Sequence, residues 1–76
     1  ALTIRHDAET RAVVCNGQLS AGTTVSLYNL GGVLLGQAKA NGTTTSLTLS
    51  TEGLPVGTYL VVVRSAQGVR THKLVF

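Results

Sequence analysis

Seventy-six residues make one domain at most, and such a chain buries only about 60% of the surface exposed by its unfolded form. The lone cysteine, Cys15, cannot close an internal disulfide, so the core must hold the fold alone or with a neighbouring domain. The apolar fraction is 43%, mainly Val, Leu and Ala, and only 12% of residues are charged, about half the usual share, which describes a small β protein and excludes a disordered one. The net charge of +3 is spread over Arg5, Arg11, Lys39, Arg64, Arg70 and Lys73 with no two adjacent and no aromatic platform, which excludes a nucleic-acid interface and leaves an anionic surface or polysaccharide as the suitable charged partner.

Helical periodicity is missing, whereas strand signals recur every eight to twelve residues, as in a sandwich or barrel. Ala1-Leu2-Thr3-Ile4 reads straight into a first strand, Leu2 to Arg5. A second, Ala12 to Cys15, is closed by Asn16-Gly17, a dipeptide that tolerates positive φ. The third runs from Thr24 to Leu30, with Val25 and Leu27 alternating against Ser26 and Tyr28. Gly31-Gly32 turns it into Val33 to Lys39, and Asn41-Gly42 turns that into Thr44 to Leu49. A longer connection, Ser50 to Gly57, holds the only proline. The sixth strand, Thr58 to Ser65, has Tyr59, Val61 and Val63 on one face and Leu60, Val62 and Arg64 on the other. Two mostly apolar faces predict a central strand, with the core on one side and a covered surface on the other. Ala66-Gln67-Gly68 leads into the last strand, Val69 to Phe76, with Leu74 and Phe76 on one face and Lys73 and Val75 on the other. Seven short antiparallel strands are most simply packed as an immunoglobulin-like β-sandwich, here without the disulfide and Trp of true immunoglobulin domains.

Convergent chemistry is absent from the sequence. His6 and Asp7 are adjacent in an expected turn and would point apart; His6 and His72 are far apart in the chain and read as solvated. Three carboxylates, two histidines and one cysteine offer neither zinc spacing nor a nucleophile with its base. Cys15, next to Val13-Val14, reads as a buried structural thiol. Asn41-Gly42-Thr43 matches a glycosylation sequon, but a hairpin explains it. Gly31-Gly32 and Gly53 to Gly57 lack the strand-to-helix context of a phosphate cradle. The expectation is a non-enzyme with no cofactor and no metal. No run of 18 apolar residues offers a helical membrane span, and no signal peptide opens the chain, which reads as a single domain, 1–76, from a longer precursor.

Three segments carry a family resemblance. They are Val25-Ser26-Leu27-Tyr28-Asn29-Leu30-Gly31-Gly32-Val33-Leu34, then Leu47-Thr48-Leu49 followed by Leu54-Pro55-Val56-Gly57-Thr58-Tyr59, then the terminal Thr71-His72-Lys73-Leu74-Val75-Phe76. In order, spacing and position they resemble the type A C-terminal sorting domain of proteins exported by the type IX secretion system of Bacteroidetes. Asn29 stands where that family usually has Asp, and the basic residue often found after the turn is missing at Gly32-Val33. The resemblance implies a seven-stranded immunoglobulin-like sandwich that directs a periplasmic cargo through the outer-membrane translocon to the cell surface or medium. It also implies a sortase that removes the domain and attaches the cargo to anionic lipopolysaccharide. In some attachment-complex components the domain stays uncleaved, as a docking or lipopolysaccharide-binding part; a structural spacer is the reading outside the family.

On this reading Gly31, Leu54, Pro55, Gly57 and Tyr59 serve mainly the fold, with Pro55 fixing φ, Gly57 freeing it and Tyr59 forming a tyrosine corner. Lys73, Leu74, Val75 and Phe76 are expected to be recognised by the secretion machinery, by strand addition or otherwise. A terminal strand of this kind can also exchange between copies, so the isolated domain is expected to be able to form a homodimer.

Overall fold

In the computed structural model, which describes residues 2–76, seven antiparallel strands form two sheets. They are β1 (Thr3–Asp7), β2 (Ala12–Leu19), β3 (Thr24–Asn29), β4 (Leu34–Lys39), β5 (Thr44–Ser50), β6 (Thr58–Ser65) and β7 (Gly68–Val75). One sheet has the order β1-β2-β5 and the other β4-β3-β6-β7, which is the expected immunoglobulin-like sandwich. Ala1 lies outside the described residues, so the start of the first expected strand is not covered.

Alternation in the sequence sets the core. Tyr59, Val61 and Val63 point inward from β6, Val25 and Leu27 from β3, Val13 and Cys15 from β2, and Leu49 from β5. Each such Val or Leu side chain contributes about 1.5–3 kcal/mol on full burial, the main favourable term in so small a domain. β6 is central, between β3 and β7, as its two apolar faces predict. Its outer face is half-buried at Leu60 and Val62, beside a buried Ser26 whose hydroxyl accepts a hydrogen bond from Gln37 at 3.0 Å.

Two local expectations are corrected. Asn16-Gly17 does not end β2; the strand continues to Leu19, and the pairing with β5 shifts register between Asn16 and Leu19. The permissive dipeptide is used for an irregularity within the strand, with Gly17 at φ 151°. β1 extends through His6 and Asp7, paired with Val13 and Ala12, so His6 is a strand residue and not a turn residue. The β1–β2 connection instead uses Asp7, whose Oδ1 accepts from the Glu9 amide at 3.0 Å, and Arg11 at φ +51°.

The registers sort the loops into two poles. Asn29 pairs with Tyr59, and Thr58 with Val75, so the β3–β4 turn, the start of β6 and the end of β7 share one end of their sheet. Asp7 pairs with Ala12, and Ala12 with Ser50, so the β1–β2 turn and the β5–β6 connection share one end of the other. Backbone bonds from Gly57 to Phe76 and from Thr51 to Arg11 join these ends.

Candidate recognition site at the pole that holds Phe76

The residues expected to build or present the recognised end gather at this pole. Gly31 lies in the β3–β4 turn, Leu54, Pro55 and Gly57 lie in the β5–β6 connection, Tyr59 begins β6, and Lys73 to Phe76 finish β7. The Tyr59 hydroxyl donates to the carbonyl of Pro55, four residues back, at 2.5 Å, with the ring buried. That is the expected tyrosine corner. It ties the proline-containing connection to the central strand and satisfies a polar group that burial would otherwise leave unpaired.

The end of β7 is clasped to this corner. Gly57 donates its amide to the Phe76 carbonyl at 2.6 Å, and Phe76 donates its own to the Gly57 carbonyl at 3.0 Å. The Phe76 ring stacks on Tyr59, with centroids 4.6 Å apart and planes within 8°. It also stacks on His6, at 4.0 Å and 12°. His6 Nε2 shares a hydrogen bond of 2.9 Å with the Thr51 hydroxyl, and the Thr51 amide donates to the Arg11 carbonyl at 2.8 Å. The expectation of a solvated His6 is therefore wrong: it is half-buried between the sheets. His72 is also half-buried, opposite Val61 on the inner side of β7. Sequence inspection missed His6 and Thr51 as members of this cluster. The period-2 step from Ile4 to His6 carried the only hint, once β1 is allowed to run past Arg5.

The four terminal residues divide by face. Leu74 and Phe76 are half-buried on the inner face, and Leu74 packs against the core. Lys73 and Val75 are exposed on the outer face, Val75 at 66%. The neighbouring Val56 is 85% exposed. An open groove of about 790 Å³ lies beside the clasp, with Leu54, Leu74 and Phe76 as apolar lining and Arg5 and Arg11 as its basic residues.

The β3–β4 turn explains a departure noted in the sequence. Asn29 Oδ1 accepts from the Val33 amide at 3.0 Å, and the Asn29 backbone bonds to Gly32 and Val33. The turn needs a side-chain oxygen acceptor at this position, which an amide supplies as well as a carboxylate. A Cβ on Gly31 would sit 3.2 Å from Asn29 Oδ1, crowding that cap, while Gly32 takes the φ of +84° that the turn demands.

Cys15 is fully buried, and burial pushes its thiol above the ordinary value, as a structural role predicts. No cluster of three or more His, Cys, Asp or Glu side chains able to hold a metal occurs among the described residues.

The protein is thus a small all-β sandwich whose last strand is clasped at its end by an aromatic corner. The chain belongs to the secretion system C-terminal sorting domain family, whose model matches residues 3–76; this is the sorting signal of type IX secretion. A search of the curated proteins found no match. Such a signal interacts with the secretion machinery and marks its protein for export to the cell surface or for secretion.

Proposed function

We propose that residues 1–76 are the single C-terminal sorting domain of a longer precursor, carrying a folded cargo from the periplasm through the type IX outer-membrane translocon. The domain acts by being bound and has no catalytic role. Lys73 and Val75 present the exposed face of the signal, while Leu74 and Phe76 hold the terminal strand in position through the core and the clasp. Gly31, Leu54, Pro55, Gly57 and Tyr59 build the corner that sets this geometry. The observation that carries the reading is the convergence of the family's motif residues on the pole where β7 ends.

After export, a sortase removes the domain and joins the cargo to anionic lipopolysaccharide. In the alternative role the domain stays attached and docks its parent to the surface complex. Exchange of β7 between two copies is the proposed route to a homodimer of the isolated domain.

The test fuses residues 1–76 to a passive fluorescent protein with an export leader, in a type IX-competent host, beside a fusion lacking Lys73 to Phe76. A second comparison carries Lys73→Glu with Val75→Asp, because the truncation also removes the Phe76 clasp. Surface or medium fluorescence from the parent fusion, with both variants retained in the periplasm, is the expected outcome. Retention of a folded parent fusion overturns the sorting reading and leaves a structural spacer.

A further inference from the structure

Among the described residues β1 pairs only with β2 and β7 only with β6, so each leaves one edge open. These two edges belong to different sheets but lie on the same side of the sandwich, where β1 and β7 touch. The groove of about 790 Å³ opens there, at the pole that holds Phe76. Open edges are normally blunted, covered or paired, because their free amides and carbonyls template another strand. Here β7 is eight residues long, contains no proline, and flanks an apolar depression.

We infer that this groove is a strand-acceptor site: an extended acidic segment of a partner protein adds to the open edge of β7 as a fifth strand. Its inward side chains are apolar and fill the groove against Leu54 and Phe76; its outward carboxylates meet Lys73, while Arg5 and Arg11 add positive potential from the groove. Main-chain pairing supplies affinity and the alternating pockets supply selectivity, as in other strand-addition complexes.

Charge chooses the occupant. β7 carries Arg70 and Lys73 with no carboxylate, and the groove adds Arg5 and Arg11. Asp7 lies 3.9 Å from Arg5, and its Oδ1 is engaged by the Glu9 amide, so it offsets this rim only in part. A second copy is a poor occupant of the same edge. Each β7 carries Arg70 and Lys73 and no carboxylate, so neither copy offers the other a complementary charge. On the other side of the sandwich β4 and β5 also leave edges open, and β4 exposes Leu34 and Leu35, whereas the groove with Arg5 and Arg11 lies on the β1–β7 side.

This inference rests on the reading of the β7 end as the recognised part of the signal, and its test is independent of secretion. A fluorescein-labelled eight-residue peptide alternating valine with aspartate and threonine is titrated into the 76-residue protein and followed by anisotropy. Amide exchange is recorded in parallel. The expected result is saturable binding, protection of β7 amides by about tenfold or more, and at least about tenfold weaker binding to the Arg11→Glu, Lys73→Glu protein. A lysine-for-aspartate peptide and a proline-interrupted one should both fail to bind.

Lack of binding, protection confined to β4, or equal binding of the lysine peptide would each overturn the inference. If peptide binding fails while the fusion is still exported, the acceptor site is wrong and the sorting reading stands. If the peptide binds while the fusion is retained, the site stands and the sorting reading falls.

Discussion

The two poles of this sandwich are closed by different means. At the pole holding Phe76, side chains do the closing: Tyr59 bonds Pro55, Asn29 caps its own turn, and Phe76 stacks on Tyr59 and His6. At the opposite pole the closure is largely main chain. Gly22 donates to the Ala40 carbonyl and Ala40 to the Thr23 carbonyl, each at 2.8 Å, and the side chains add short-range hydroxyl bonds: Ser20 with Thr23, Thr24 to the Gly22 carbonyl, and Ser65 accepting from the Gln67 amide. Backbone closure tolerates many sequences, whereas an aromatic corner does not. The difference sets the exposed Lys73 and Val75 beside the aromatic corner.

The comparison breaks most severely at Tyr59. Tyr59→Ala removes a buried ring, the hydroxyl bond to Pro55 and the support for Phe76, and should cost about 3–5 kcal/mol, enough to unfold so small a domain. Urea denaturation followed by circular dichroism measures it. At the opposite pole Thr23→Ala, which deletes one buried hydroxyl with a partner, should cost about 1 kcal/mol. A Thr23→Ala protein as damaged as Tyr59→Ala would erase the proposed difference between poles.

Gly32→Ala forces an L residue into φ +84° and should cost about 1–2 kcal/mol in the same denaturation measurement. Asn29→Asp keeps the acceptor and should stay within about 0.5 kcal/mol, while Asn29→Ala should lose about 1 kcal/mol. Equal losses for the Asp and Ala variants would show that the cap to Val33 does not hold the turn.

The smallest effect lies in the core that both poles share. Because burial raises the Cys15 thiol, ionisation in the unfolded chain precedes that in the folded one. The contribution of neutral Cys15 is full below about pH 9 and is lost as pH rises through the folded-state value. The stability gap between the parent protein and Cys15→Ala should therefore narrow above pH 9 in denaturant titrations. A constant gap from pH 7 to 10 would show that the thiol is not perturbed.

Much of this architecture was legible because alternation is strong where burial is one-sided. Val25 and Leu27, Leu47 and Leu49, and Tyr59 to Val63 mark strands and their inward faces directly. The tyrosine corner could be read from the spacing of Pro55 and Tyr59. Asn16-Gly17 misled because its permissive φ serves a bulge as well as a turn, and only the pairing partner decides between them. His6 was missed for a similar reason. A histidine beside an aspartate reads as polar and exposed until a ring from the far end of the chain stacks on it. The split of Lys73 to Phe76 into inner and outer faces follows alternation, but the bonds to Gly57 that hold Phe76 join residues with no sequence signal linking them.

The most direct test uses two valines of one strand. Val69 and Val75 are both exposed, at 59% and 66%, near opposite ends of β7. Each is changed to Asp in the exported fusion, and surface fluorescence is measured alongside the folded fraction. The account predicts that Val75→Asp, near the clasp, abolishes export of a folded domain while Val69→Asp leaves it near the parent level. Equal export by the two folded variants, or loss confined to Val69→Asp, would contradict the assignment of recognition to the pole that holds Phe76.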